Sequence, residues 1–146
     1  MSTPGQAPAV SPLVDALGLE RHPEGGWFRE VWRSDVEVET SDGRVRATAT
    51  SIHFLLHAGE SSVWHRVASD ELWIAHLGMV ELELGGVDDS PSAHERLVVG
   101  TDVGAGQRLQ ALVPAGTWQR TVPGDVDALV SCVVSPGFDF ADFELL

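Results

Sequence analysis

The 146-residue chain contains no lysine, no tyrosine and no asparagine. Without a lysine amine there is no Schiff-base catalysis, and without a phenol there is no tyrosine general acid. Nine arginines face 22 acidic residues, and the resulting net charge of −13 argues against nucleic acid as a partner, because phosphate-backbone binding draws on clustered cationic side chains. The single cysteine, Cys132, lies in the apolar run LVSCVV and reads as a buried strand thiol; no intrachain disulfide can form. Long apolar runs are also missing: residues 128–134 are interrupted by Ser131 and are far too short to span a bilayer. The opening MSTPGQAPAV lacks the basic and apolar regions of a signal peptide. The expectation is a soluble, cytoplasmic protein without a membrane partner.

A hydrophobic content of 43% over this length suits one domain with a substantial core. Residues 1–10, rich in Pro, Gly, Ala and Ser, read as a disordered segment, leaving 11–146 as the domain. Ser11 followed by Pro12 predicts an N-cap and first helical position, with Leu13, Val14 and Leu17 apolar and Gly18 ending one short helix. From Trp27 the pattern turns to β. Ten segments read as strands: WFREVWR, RVRATATSIHFLL, SSVWHRV, ELWIAHL, VELEL, RLVVG, RLQALV, TWQRTV, VDALVSCVV and DFELL. Thr40–Gly43 and Val122–Asp125 read as hairpin turns whose glycines supply unusual backbone angles. Closely spaced short strands favour an all-β barrel or sandwich.

The stretch GESSVWHRVASDELWIAHLG, from Gly59 to Gly78, carries most of the chemistry. Strand alternation puts His65 and Val67 on one face and Trp64 and Arg66 on the other. A turn through Ala68, Ser69 and Asp70 then starts a strand at Glu71, whose carboxylate can point to the same interior as His65. The spacing Gly59, His65, Val67, Glu71, Gly78 resembles the first motif of the cupin superfamily, with Val67 where a second histidine usually stands. Pro114-Ala115-Gly116 resembles the start of the second motif, with Gln119 replacing its histidine and Pro123 its asparagine. Three further blocks, HPEGGWFREVWRS from His22, VPAGTWQ from Val113 and SPGFDFADFEL from Ser135, resemble the DUF985 or cupin_5 branch, in which this altered ligand set is ordinary. The resemblance spans residues 13–145. It implies a homodimeric double-stranded β-helix, a jelly-roll barrel with a small-molecule pocket, and no agreed reaction. Barrel-shaped deoxysugar epimerases of this superfamily use a tyrosine acid, which this chain cannot supply.

Candidate site residues follow. A carboxylate between Leu72 and Trp73 is costly to bury unpaired, so Glu71 either meets His65 or Arg66, or meets ligand or metal. His65 is a core histidine or its functional partner. Gln119, at the second motif's ligand position, is a substrate contact or a strand surface residue. Trp73 shares the parity of Glu71 and is placed in the pocket wall. His53 and His76 are weaker pocket candidates, and Arg29 is kept as a clamp for an anionic group, with ion pairing among Glu24, Arg29, Glu30 and Arg33 as the plainer alternative. His22, His57 and His94 read as solvated loop histidines.

The leading expectation is an enzyme performing proton transfer, of isomerase, epimerase or lyase type, on a polar metabolite, with Glu71 or His65 moving the proton. The alternative is a binding module that recognises a metabolite without turning it over. No cofactor is required; a divalent metal (Zn, Ni, Fe or Mn) would draw on His65, Glu71 and Gln119, a weak set because an amide is a poor substitute for imidazole. An oxygenase would need His53 or His76 to complete the usual facial set.

Overall fold

In the computed structural model, which describes residues 9–92 and 95–146, the chain folds as two facing antiparallel sheets with one short helix. The helix α1 spans Pro12–Leu17; the Ser11 hydroxyl accepts the Leu13 amide at 3.2 Å, and Gly18, at φ 64°, returns its N–H to the last turn. The larger sheet orders its strands β1 (Glu20–Arg21), β2 (Trp27–Arg33), β5 (Thr50–Leu56), β12 (Ala128–Ser135), β7 (Asp70–Leu77) and β10 (Gln110–Val113). The smaller orders β13 (Phe143–Leu145), β6 (His65–Val67), β11 (Gln119–Val122), β8 (Met79–Leu84) and β9 (Glu95–Gly100). A separate ribbon pairs β3 (Glu37–Glu39) with β4 (Val45–Ala47).

Alternation dictates which side chains fill the space between the sheets. Phe54, Trp73, Leu82, Val99, Val113 and Val130 are all at or below 1% exposure and form the centre of the core. Each such side chain contributes about 1.5–3 kcal/mol through burial. The outer side of the larger sheet is partly covered by α1, where Val14, Leu19 and Leu55 make a second apolar cluster.

Three expectations need correction. The run 44–56 is two strands, β4 and β5, because Thr48 and Ala49 break the ladder. SSVWHRV narrows to β6, since Ser61–Trp64 lie outside any strand. Val122–Asp125 is a crossover between the two sheets rather than a hairpin, and Gly124 stays outside the left-handed region. The Thr40–Gly43 turn is present, closed by the Gly43 amide on the Thr40 carbonyl at 3.0 Å with Gly43 at φ 86°. His94 and residues 1–8 of the expected disordered segment lie outside the described residues. No helix among the described residues is long and apolar enough to cross a membrane.

Candidate functional site

Register brings the first-motif residues together. His65 on β6 is directly opposite Gln119 on β11, and Glu71 on β7 is flanked by Val113 and Val134. His65 and Glu71 both face a narrow cavity of about 30 Å³ at one end of the barrel, together with His22, Glu24, Thr50 and Val67. Phe28, Ile52, Val134, Phe138 and Phe143 supply the apolar wall. Phe28, Ile52 and Phe138 also border a larger outer vestibule that carries Glu30 and Arg33 at its rim.

Glu24 reaches this cavity from far away in sequence. It sits in the turn between β1 and β2, where the Gly25 amide bonds the His22 carbonyl at 3.0 Å and the His22 amide bonds the Gly26 carbonyl at 2.9 Å. The turn lies against the Ser61–Val63 segment, and the Val63 amide donates to the Glu24 carbonyl at 2.8 Å. A Cβ on Gly25, at φ 107°, would stand 2.3 Å from the Ser61 carbonyl oxygen, so only glycine fits. The Glu24 carboxylate is thereby pressed onto the His65 ring as a buried ion pair between Oε2 and Nε2.

His65 is held at both ring nitrogens. Nδ1 lies 2.7 Å from the Val63 carbonyl, which can only accept, so Nδ1 carries a proton; Nε2 meets Glu24. Burial alone would push the imidazole down, but the Glu24 carboxylate, the Val63 carbonyl and Glu71 outweigh it and raise its pKa to about 8. Glu71 is raised too, but by burial. Burial first, then the charge of Glu24, raise its carboxyl to about 7, against the opposing pull of His65, the Gln119 amide and the Cys132 thiol. Cys132 itself is pushed well above its ordinary range, mainly by burial and then by Glu71, and is no nucleophile.

Gln119 and Trp73 are assembled behind Glu71 rather than in the cavity wall. The indole N–H of Trp73 donates to Gln119 Oε1 at 3.1 Å, which fixes the amide so that Nε2 donates to Glu71 Oε1 at 2.7 Å. Indole is a donor only, so the opposite amide orientation would leave two donors facing each other. Both residues are 1% exposed and neither lines the cavity, in contrast to the expected substrate contact and pocket wall. The same geometry bears on a metal. The Gln119 oxygen is spent on Trp73, the His65 Nε2 is spent on Glu24, and among the described residues no three His, Cys, Asp or Glu side chains converge as ligands. The donor set of His65, Glu71 and Gln119 does not fit a divalent ion.

The remaining candidates lie elsewhere. Ile52 and Phe54 point inward from β5, so His53 between them is on the outer face, level with Ser131 of β12. His76 is also outside, with Nε2 2.7 Å from the Ser131 hydroxyl. Arg29 is opposite His53 on that face and reaches the Leu17 carbonyl at the end of α1. Of the expected ion pairs, Glu30 with Arg33 forms, at 2.7 Å. Arg66 pairs with Glu144, not Glu71. His57 is tied to Glu60 and accepts the Ser11 amide at 2.9 Å, so it is no free loop histidine.

Two site residues escaped the sequence reading: Glu24 and His22, the latter assigned there to a solvated loop. The His22 side chain is 5% exposed and ringed by Phe28, Phe54, Phe140 and Phe143. The signal was the Gly-Gly pair at 25–26, which forces a tight turn and so demands that something be packed beneath it.

A two-sheeted antiparallel barrel with a polar cluster at one mouth is the cupin architecture, and the oxalate decarboxylase of Bacillus subtilis shares it at TM-score 0.59 and 20% identity, over 86% of this chain and 29% of that one. More specifically, the chain belongs to the family Cupin_5, Cupin superfamily (DUF985), which it matches over residues 11–146. A hypothetical protein from Leishmania major is 36% identical, with TM-score 0.83 over 92% of this chain and 85% of that one. A protein from Shewanella oneidensis is 38% identical, with TM-score 0.79 over 92% and 82%. No curated protein matches the sequence.

Proposed function

We propose that this cupin is an enzyme that moves a proton on a small polar metabolite, as isomerases, epimerases and lyases do, with Glu71 as the proton carrier. The observation that supports it is a carboxyl group only 8% exposed, facing a cavity, with its pKa raised to about 7. A general base works best when its pKa lies near the working pH. His65 is the positioning charge: with both nitrogens engaged, it compensates Glu24 and sets the potential at Glu71. The Trp73–Gln119 relay holds one carboxylate oxygen and leaves proton exchange to the other.

Turnover of a substrate found by metabolite screening tests this. Glu71→Gln preserves shape and hydrogen bonding and is expected to lose at least about a hundredfold in kcat, the low end for general acid–base catalysis. Loss of affinity alone, with no turnover in either protein, would identify a binding module. We further infer that the protein is a homodimer, supported by an apolar row across the outer face of the larger sheet, where Trp32 and Leu112 are each 52% exposed in line with half-buried Leu72 and Val133. Sedimentation of Leu112→Glu at micromolar concentration should give a monomer where the parent gives a dimer; a monomeric parent would refute it.

A further inference from the structure

The two histidines at the cavity are held in opposite ways. In His65 both nitrogens act as donors, whereas in His22 the Nδ1 atom accepts the backbone N–H of Glu24 at 3.1 Å. A ring nitrogen that accepts an amide proton cannot carry its own, so the His22 ring is neutral and its proton is on Nε2. Its surroundings agree: four phenylalanines border it, the charged groups beside it are Glu24, with Oε1 3.6 Å from Nδ1, and His65, and burial foremost pushes its pKa down. The cavity wall it belongs to holds no arginine, and its one cationic residue, His65, is already paired with Glu24. A carboxylate or phosphate would enter against Glu24 and Glu71 with no free cation to meet it.

We propose that His22 is the hydrogen-bond donor for a substrate carbonyl oxygen, and that the substrate is an uncharged carbonyl compound with a hydrogen on the adjacent carbon. This rests on Glu71 being the proton carrier. Glu71 takes the proton from that carbon, the C–H electron pair becomes the enolate with its charge on oxygen, and His22 Nε2–H stabilises that oxygen by a hydrogen bond. Return of a proton from Glu71, which equilibrates with solvent between steps, to that carbon restores the carbonyl compound with its hydrogen exchanged, and delivery to the oxygen gives the enol, with no external oxidant or reductant. A neutral imidazole suits this role because it donates without protonating the enolate outright.

The test uses the full chain labelled with ¹⁵N-histidine, and dihydroxyacetone as the uncharged carbonyl probe. At pH 7 one ring should show the neutral Nε2–H tautomer, and that signal should vanish in His22→Phe; a cationic or Nδ1–H ring at His22 would overturn the proposal. In deuterated buffer the wild type should exchange the carbon-bound hydrogens of dihydroxyacetone faster than buffer does. His22→Phe should lose about a hundredfold, the usual loss for one oxyanion donor, while His22→Gln, which keeps an N–H and an acceptor for Glu24, recovers part of it and guards against misfolding. Full exchange in His22→Phe with none in Glu71→Gln would remove His22 and leave Glu71 standing. No exchange by the wild type would overturn the carbonyl class, and a carboxyl ¹³C titration of Glu71 with a midpoint far below about 7 would instead overturn the reading beneath it.

Discussion

Two of the buried glutamates, Glu71 and Glu83, sit in neighbourhoods that make opposite acids of them. Glu83 of β8, 1% exposed, is gripped by Arg120 at 2.6 Å and Arg96 at 2.5 Å beneath the outer face of the smaller sheet, and Arg120 first, then Arg96, hold its carboxyl below the usual range. Arg120 also stacks on Trp64, 4.7 Å from the ring centroid, which makes the clamp part of the packing. Glu71, across the core, has an amide, a thiol and an already engaged imidazolium instead of a guanidinium. Glu83 stays ionised and braces a surface; Glu71 is left able to hold or release a proton near neutrality. The comparison shows what a guanidinium decides: desolvation raises the Glu71 carboxyl with no arginine to oppose it, whereas two arginines hold Glu83 down despite its low exposure.

The comparison breaks most visibly at Glu71. Glu71→Gln should cost at least about a hundredfold in turnover while Glu83→Gln leaves the rate constant near wild type, provided the variant folds. Next in size is the pH dependence of stability. Glu71 is raised from 4.5 to about 7, so its contribution is fully present below pH 4.5 and is lost as pH rises through about 7. His65, raised from 6.5 to about 8, likewise stabilises fully below 6.5 and loses that contribution as pH rises through about 8. Denaturant midpoints at pH 5 and pH 9 should therefore fall on the alkaline side in the wild type. Glu71→Gln should recover about 3 kcal/mol of that fall; equal falls in both proteins would mean that Glu71 is ionised throughout. His22, lowered by burial, acts in the opposite direction and weakens the fold as pH drops below 6.5.

A smaller effect sharpens the other side. Arg120→Met leaves Glu83 with Arg96 alone and should cost about 1–2 kcal/mol by urea unfolding, discounted because the arginine is partly solvated. Subtlest is Trp73→Phe. Removing the indole N–H frees the Gln119 amide to turn its oxygen towards Glu71, so the carboxyl midpoint followed by ¹³C NMR should move up. A midpoint that does not move would show that the relay does not set the state of Glu71.

Much of this was legible in the chain. Ser11-Pro12 and Gly18 mark the helix, and the parity of His65 with Val67 places both at the cavity. Parity also held an unused message. In SIHFLL the inward apolar residues are Ile52 and Phe54, which leaves His53 outside; in ELWIAHL the inward set of Glu71 and Trp73 excludes His76. What strand alternation cannot supply is contact across 41 residues of sequence, and Glu24 reaches His65 only because a glycine turn folds over the Ser61–Val63 segment. Depth was equally hidden. Trp73 and Gln119 face the right side but lie beneath the cavity, because side-chain direction says nothing of how far the opening penetrates.

The steric fit of Gly25 against the Ser61 carbonyl has a practical corollary. Half of the titratable groups at the cavity are contributed by a short excursion of chain, residues 21–27, whose ends Arg21 and Trp27 are antiparallel neighbours in β1 and β2. Replacing this segment as a unit is expected to change the ring and the carboxylate at the cavity while the strands stay in place. Repertoires of new specificity are therefore more economically built at this seven-residue cassette than along the strands, provided its paired glycines are kept.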